Sequence, residues 1–464
     1  MKPNMGDMCE MAGKSAKNGI TEGVIWKQIL IFFFPILIGT FFQQLYNTAD
    51  SYVVGNFVDT NALAAVGASA SVIQMLVGFF MGLSVGAGVV IAQYFGAGQK
   101  EKMSQAVHSA LALTVLLSAL FTVAGIALTR PLLRAIGVPQ EVLPHSTLYL
   151  TIYFAGITFL LFYNMGSGIL RAIGNSRDPL IYLAVASVLN VILDVLLVCV
   201  ARLGVAGVAL GTMIAQAVSA YLVMRQLIRT SEAYRVELKK IRFHREMIRQ
   251  ILMVGLPAAL QQSITAFSNV VVQSYINSFG TAAIAGYSTT IRIDGFLQLV
   301  LQSFNMTITT FVGQNIGARK TERVKQGIFI AWVMCSAMIL AGSVWMNREG
   351  ALLVSLFTDD AAVIANGAAM LKLFSYAYWS LPVVQILSGA LRGAGKSSIP
   401  MFFMLSCFVV IRQIYLAITV PMTHNLLVVI AGWPLTWVLC AAGMTVYFFR
   451  ADWMKNAEKL VQGQ

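Results

Sequence analysis

Ser167-Gly-Ile-Leu-Arg-Ala-Ile-Gly-Asn-Ser-Arg-Asp-Pro179 and Ser388-Gly-Ala-Leu-Arg-Gly-Ala-Gly-Lys-Ser-Ser-Ile-Pro400 stand 221 residues apart and agree at seven of thirteen positions. The same offset aligns Gln93-Tyr-Phe-Gly-Ala97 with Gln314-Asn-Ile-Gly-Ala318, and Glu101 with Glu322. Two separate matches at one spacing mark an internal duplication, which decides the architecture before any single element is read. Within the motifs, Gly96, Gly174, Gly317 and Gly395 read as helix-end turns, and Pro179 and Pro400 as starts of the next helix. Arg171 and Arg392 read as partners of helix carboxyl ends or of lipid phosphate, with gating contacts as the alternative.

The sequence around the motifs is overwhelmingly apolar. Of 464 residues 58% are hydrophobic and 11% charged, against roughly a quarter charged in an average soluble domain, so a water-soluble fold is excluded. Apolar windows long enough to span a bilayer fall at 28–54, 62–95, 103–128, 147–170, 180–201 and 204–228, then at 248–276, 282–312, 325–347, 366–391, 399–421 and 425–449. The expected fold is an all-α integral membrane protein with twelve transmembrane helices in two six-helix bundles. Six spans, an even number, separate equivalent points, so the repeat is parallel, and duplicated transporters of this kind place substrate between halves that rock alternately. The expected divisions are a tail at 1–25, a first lobe at 26–228, a basic linker at 229–247, a second lobe at 248–450 and a tail at 451–464.

Charge fixes an orientation. With both termini cytoplasmic, 25 of the 32 Lys and Arg residues fall on the cytoplasmic side, as the positive-inside rule requires. The net charge of +13 lies in loops rather than in one basic domain, which argues against nucleic-acid binding. The linker around Arg225 to Arg249 serves topology and can rest on anionic headgroups. The first 25 residues carry Asp7, Glu10, Lys14, Lys17 and Glu22 without an apolar run, so they read as a cytoplasmic tail rather than a signal peptide. Five cysteines, Cys9, Cys199, Cys335, Cys407 and Cys440, suit neither a disulfide framework nor a metal cluster.

Ionisable groups inside a bilayer are costly and therefore informative. Three acids qualify: Asp50, Asp194 and Asp294. Asp50 ends a polar stripe with Gln43, Tyr46 and Asn47 on the first span, while Asn190 and Asp194 stand four apart on the fifth, with Ser187 extending their face. Thr212, Asn164 and Tyr149 are placed to complete an oxygen-rich pocket. Such oxygens suit a small hard cation, and a buried carboxyl also binds a proton, so both coupling ions fit one residue set. The competing reading is a set of helix-to-helix hydrogen bonds. On the eighth span Asp294 follows Arg292, and Arg412 lies on the eleventh; either arginine can neutralise Asp294, or both can guard a cavity. With a one-residue gap the repeat puts Val272 in place of Asp50, and it puts Tyr415 in place of Asp194, so ion coupling is expected in the first half, with the second shaping the substrate cavity.

The run Pro35 to Gly55 with its Gln-Leu-Tyr-Asn-Thr-Ala-Asp segment, Gln93 to Gly96, Leu170 to Gly174, Asn190 to Asp194 and Leu391 to Gly395 resemble the multidrug and toxic compound extrusion (MATE) family over about residues 25–450. The resemblance implies a V-shaped pair of bundles in the inner cell membrane that expels organic, often cationic or amphiphilic, molecules in exchange for protons or sodium. It implies a coupling-ion site at Tyr46, Asp50, Asn164, Asn190, Asp194 and Thr212. Gln43, Asn47, Tyr149, Asp294, Arg292 and Arg412 are the weaker candidates for the substrate cavity. Another branch of the family uses acids on the seventh and tenth spans, which this chain lacks. Pro35 and Pro257, equivalent in the two halves, are candidates for easing helix distortion and otherwise start helices. No cofactor, no metal beyond a sodium ion, no nucleic acid, no obligate protein partner and no enzymatic activity are expected. The nearest rival is a flippase or exporter of lipid-linked or amphipathic substrates, which requires more basic groups in the spans; an embedded enzyme requires a clustered set that His108, His145, His244 and His424 do not make.

Overall fold

The structure, a computed structural model, describes residues 20–58 and 60–454, without the side chains at 47, 51, 56, 60–63, 68, 70 and 71. Most of both tails, and the side chain of Asn47, therefore lie outside the described residues. All regular structure among the described residues is helical. The first half supplies α1 (Ile25–Phe57), α2 (Thr60–Gly96), α3 (Lys100–Ala135), α4 (Leu143–Ala172), α5 (Arg177–Val200) and α6 (Gly204–Arg229). The second supplies α7 (Arg245–Asn277), α8 (Thr281–Gly317), α9 (Thr321–Ser355), α10 in two pieces (Ala361–Ser375 and Ser380–Gly393), α11 (Ser398–Thr423) and α12 (Leu426–Arg450).

Ten of these helices are long and apolar enough to cross a bilayer. The other two explain themselves. Helix α8 has the length but carries Thr289, Thr290, Asp294, Asn305, Thr307, Gln314 and Asn315, all buried against neighbouring helices rather than presented to lipid. Helix α10 breaks at 376–379 because Pro382 has no N–H to give the carbonyl of Tyr378 and its ring crowds that carbonyl. The Tyr378 oxygen instead accepts from the Leu381 N–H at 3.2 Å, and broken helices at membrane depth occur where protein covers the exposed backbone. The helices overrun the apolar windows, α3 and α9 by several residues at each end, because backbone hydrogen bonding continues past the point where charges begin.

Both copies of the repeat motif end in the same way. Gly174 and Gly395 adopt φ 93° and 79°, and the following residues Asn175 and Lys396 donate back to Leu170 and Leu391 at 2.9 and 2.8 Å. At the other motif pair the left-handed position is not the expected Gly96 and Gly317, which stay helical, but Gly98 (φ 67°) and Arg319 (φ 58°) two residues later. The duplication is thus visible in backbone geometry even where the glycine itself has been lost.

The chain packs as two compact units, residues 34–259 and residues 20–33 with 260 onward. In the first unit α4 is central and packs on α2, α3 and α6. Gly82 and Gly86 of α2 meet Ala259 and Gly255 of α7 so closely that a Cβ on either α2 glycine would strike backbone, a small-residue approach that suits packing where lipid supplies no hydrophobic drive. The basic linker docks on α3: Val236 is buried, the Glu237 N–H donates to His108 Nε2 at 3.1 Å, and the His244 N–H donates to Ser109 at 3.2 Å. In the second unit α8 packs on α9 and both pieces of α10. Arg323 of α9 reaches the carbonyls of Gly23 and Glu22 at 2.8 and 2.9 Å and so straps the segment ahead of α1 to this unit.

Candidate functional site

Three helices of the first unit converge on one polar group. Asp50 comes from α1, Asn190 and Asp194 from successive turns of α5, and Thr212 from α6. Thr212 donates its hydroxyl to Asp50 Oδ2 at 3.3 Å and accepts from Asn190 Nδ2 at 3.5 Å. Asp194 and Asn190 both lie beside Asp50. Asp194 is wholly buried, Asn190 is 1% exposed and Asp50 7%. A glycine makes this possible: Gly211 lies against the Asp194 carboxylate, where any side chain would collide. Beyond Asp194 helix α5 widens into a π-turn over Val195–Val200, a distortion common at functional sites.

An apolar plug closes one side. Val53 and Val54 follow Asp50 by one turn, Val198 follows Asp194, and Val205, Val208, Ala209 and Tyr149 complete the cluster. Tyr46 stands within reach of Gln43 and Gln216 on the other side and lies near Asp50. Tyr149 lies near both acids, and Tyr153 near Tyr46 and Tyr149.

The group is electrostatically incomplete. Asp50 Oδ1, Asn190 Oδ1 and both oxygens of Asp194 have no hydrogen-bond partner, and no Lys or Arg among the described residues pairs with either acid. Two bare carboxylates side by side repel; for unit charges in general the cost is about 4 kcal/mol at a separation of about 4 Å and an effective dielectric near 20. A proton shared between them, or one small cation held by those oxygens, removes the repulsion and satisfies the orphaned acceptors. The donor set fits either ion.

The expected residues do not all join. Tyr46, Asp50, Asn190, Asp194, Thr212 and Tyr149 come together, with Gln43 beside Tyr46. Asn164 is buried, but its amide donates to Leu160 of its own helix at 3.0 Å and its backbone carbonyl accepts from Ser84 at 2.8 Å. Ser187 likewise bonds back to Leu183. Gln216 and Tyr153 join Tyr46 without being among the expected residues; Gln216 stands four residues after Thr212, so helical spacing alone signals it. Gly211 carries no polar atom to notice.

In the second unit Asp294 accepts from Tyr378 at 2.5 Å and from Gln298 at 3.2 Å, and not from either arginine. The expected pairing with Arg292 or Arg412 is therefore absent. Arg292 is exposed, since two residues along a helix turn it to a different face from Asp294. Arg412 is occupied elsewhere, by Asn269 and Thr436. The α10 break is what carries Tyr378 into the interior, packed on Phe374 and Trp437. Arg392 also differs from the helix-end or lipid role: it is buried and bridges Gln261 of α7 at 2.8 Å and Asn305 of α8 at 3.2 Å.

Comparison with known proteins agrees with the duplication. The MatE family model matches residues 35–196 and again 257–418. One relative is the probable multidrug resistance protein YpnP of Bacillus subtilis (strain 168), 29% identical over 403 residues, 86% of this chain and 89% of that protein. The multidrug export protein MepA of Staphylococcus aureus (strain N315) is 24% identical over 372 residues, 80% of this chain and 82% of its own. A crystal structure of a MATE in the bent conformation has the same fold, with a TM-score of 0.89 at 23% identity over 97% of this chain and 99% of that one. An outward-facing multidrug resistance MATE family transporter gives 0.86 at 24% identity, over 96% and 98%. The family match to each half of one duplicated chain places this protein in the MatE family of membrane transporters.

Proposed function

We propose that the protein is a secondary active exporter in the cell membrane that expels organic, often cationic, molecules and takes a proton or a sodium ion in return. The observation that carries this reading is the pair Asp50 and Asp194, buried on two helices with acceptor oxygens unsatisfied and no Lys or Arg among the described residues to neutralise them. The relatives named for multidrug resistance and export support the substrate class, and the parallel duplication supports alternating access.

The ion does its work within the first unit. Without it, the acids repel and hold α1 away from α5. With it, Asp50, Asp194, Asn190 and Thr212 close on one centre and draw α1, α5 and α6 together. That difference between ion-free and ion-bound arrangements is the differential binding that any population shift requires. For a neutral substrate one ion moving down 100 mV supplies about 2.3 kcal/mol, close to a 50-fold gradient. For a monovalent cation exchanged one for one no net charge moves, so the concentration gradient of the ion drives the cycle. Both termini are assigned to the cytoplasm on the distribution of basic residues.

The test is purified protein in proteoliposomes loaded with a fluorescent organic cation, with proton and sodium gradients imposed separately. Dye movement that follows one gradient supports the reading and names the ion. Movement indifferent to both sinks it.

A further inference from the structure

The duplication allows each feature of the acid group to be traced to its counterpart. Gly211 lies against Asp194; 221 residues on, Gly432 lies against the ring of Tyr415 and the Cγ of Arg412. Thr212, whose hydroxyl bridges Asn190 and Asp50 in the first-unit group, corresponds to Trp433. Asp50 corresponds, with a one-residue gap, to Val272, which is fully buried. The second-unit counterpart therefore has no acid, and Asp294 is committed to Tyr378 and Gln298.

A cation is there nonetheless. Arg412 lies one turn before Tyr415 on α11 and is 2% exposed. Its guanidinium donates through Nη1 to Asn269 Oδ1 of α7 at 3.4 Å and through Nη2 to Thr436 Oγ1 of α12 at 3.2 Å. It lies over the Trp433 ring at 5.0 Å and over Phe408 at 5.5 Å. Helices α7, α11 and α12 are the first, fifth and sixth of the second half, the counterparts of α1, α5 and α6 that meet at Asp50, Asp194 and Thr212. The same three-helix junction is tied by acceptors awaiting a cation in one unit and by a covalently attached cation in the other.

We propose that Arg412 is a tethered cation standing in the second unit where the coupling ion binds in the first, so that the chain takes up its coupling ion at a single site. This rests on the first-unit ion site described under Proposed function. Arginine keeps its charge at every physiological pH. The junction of α7, α11 and α12 is therefore held shut through the whole cycle, while that of α1, α5 and α6 opens and closes with the ion. The duplicated scaffold thereby carries one switched junction and one fixed one. A neutral side chain of equal bulk would fill the space but leave Asn269 and Thr436 without their donor.

Two measurements test this. In the first, gradient-driven dye efflux is compared for wild type, Arg412→Ala and Arg412→Lys in proteoliposomes, with and without millimolar guanidinium or its neutral isostere urea, each protein being checked for folding by thermal melting. The expected result is a loss of at least about tenfold in Arg412→Ala, restored by the lysine ammonium or by guanidinium but not by urea. Efflux by Arg412→Ala within about twofold of wild type overturns the proposal, as does equal rescue by urea or failure of both cations in a folded protein. In the second, the thermal stabilisation produced by the coupling ion is measured in wild type and Asp50→Asn. Its complete loss in Asp50→Asn is expected; a remaining ion-dependent shift reveals a second site and overturns the proposal. Absence of gradient-driven efflux in the wild type itself would count against the transport reading instead.

Discussion

Gly211 and Asp194 approach so closely that a Cβ on Gly211 would lie 2.6 Å from Asp194 Oδ1. No real contact is that short, so Gly211→Ala must push the carboxylate off its position. Because Asp194 lies beside Asp50 and its oxygens hold no hydrogen-bond partner of their own, the expected effect is on ion coupling before stability. Gradient-driven efflux should fall by at least about tenfold, while the apparent melting temperature moves by only a few degrees. Efflux rates and melting curves on the same preparation check both halves of the statement.

Thr212 sits between Asn190 and Asp50 as acceptor of one hydrogen bond and donor of the other. Thr212→Val keeps the shape and deletes both, at a cost of about 1 to 2 kcal/mol to the ion-bound arrangement. The ion concentration, or pH, giving half-maximal efflux should therefore shift by roughly tenfold with little change in the maximal rate. Thr212→Ser retains the hydroxyl and should restore the midpoint.

Tyr378 and Asp294 form a second buried pair at 2.5 Å. If coupling belongs to the first unit, this pair is structural. Tyr378→Phe leaves the carboxyl with Gln298 alone and should destabilise by about 1 to 3 kcal/mol, read as a lower melting temperature. Asp294→Asn should retain gradient-driven efflux. Loss of coupling in a well-folded Asp294→Asn would move ion binding into the second unit.

The linker offers a pH-dependent contact outside the spans. Burial, helped by the neighbouring Arg242 and His108 charges, holds the His244 imidazole below its ordinary value of 6.5. Neutral His244 accepts from Arg242 Nε at 3.1 Å and stands 3.1 Å from the Ser109 hydroxyl. A depressed histidine contributes stability that is complete above its unfolded value and is lost as pH falls through the folded value. Trypsin cleavage at Lys239, Lys240 and Arg242 should therefore quicken as pH drops below 6.5, and His244→Gln should flatten that dependence.

Much of this architecture is written in the sequence. Twelve helices, the duplication and the three intramembrane acids follow from apolar length, self-similarity and the cost of buried charge. Helical spacing also places Asn190 beside Asp194, and on α6 it sets Gln216 one turn after Thr212. What spacing cannot give is the partner across the helix. Asn164 shares a polar character with the site yet turns back on Leu160, because a side chain on one helix can satisfy itself on its own preceding turn. Arg412 reads as a partner for Asp294 by charge alone; only three-dimensional packing shows Asn269 and Thr436 holding it and the α10 break bringing Tyr378 to Asp294 instead. The left-handed Arg319 is invisible to a search for glycines and emerges only from its equivalence with Gly98.

The most direct test of the ion site is dye efflux by Asp50→Asn in proteoliposomes under the gradient that drives the wild type, with equilibrium dye binding measured alongside. The amide keeps the Thr212 contact but cannot share a proton with Asp194 or carry the charge that holds a cation. The account predicts a folded protein that still binds dye and no longer moves it in response to the gradient. Gradient-driven efflux at the wild-type rate would contradict it and take the coupling site away from Asp50 and Asp194.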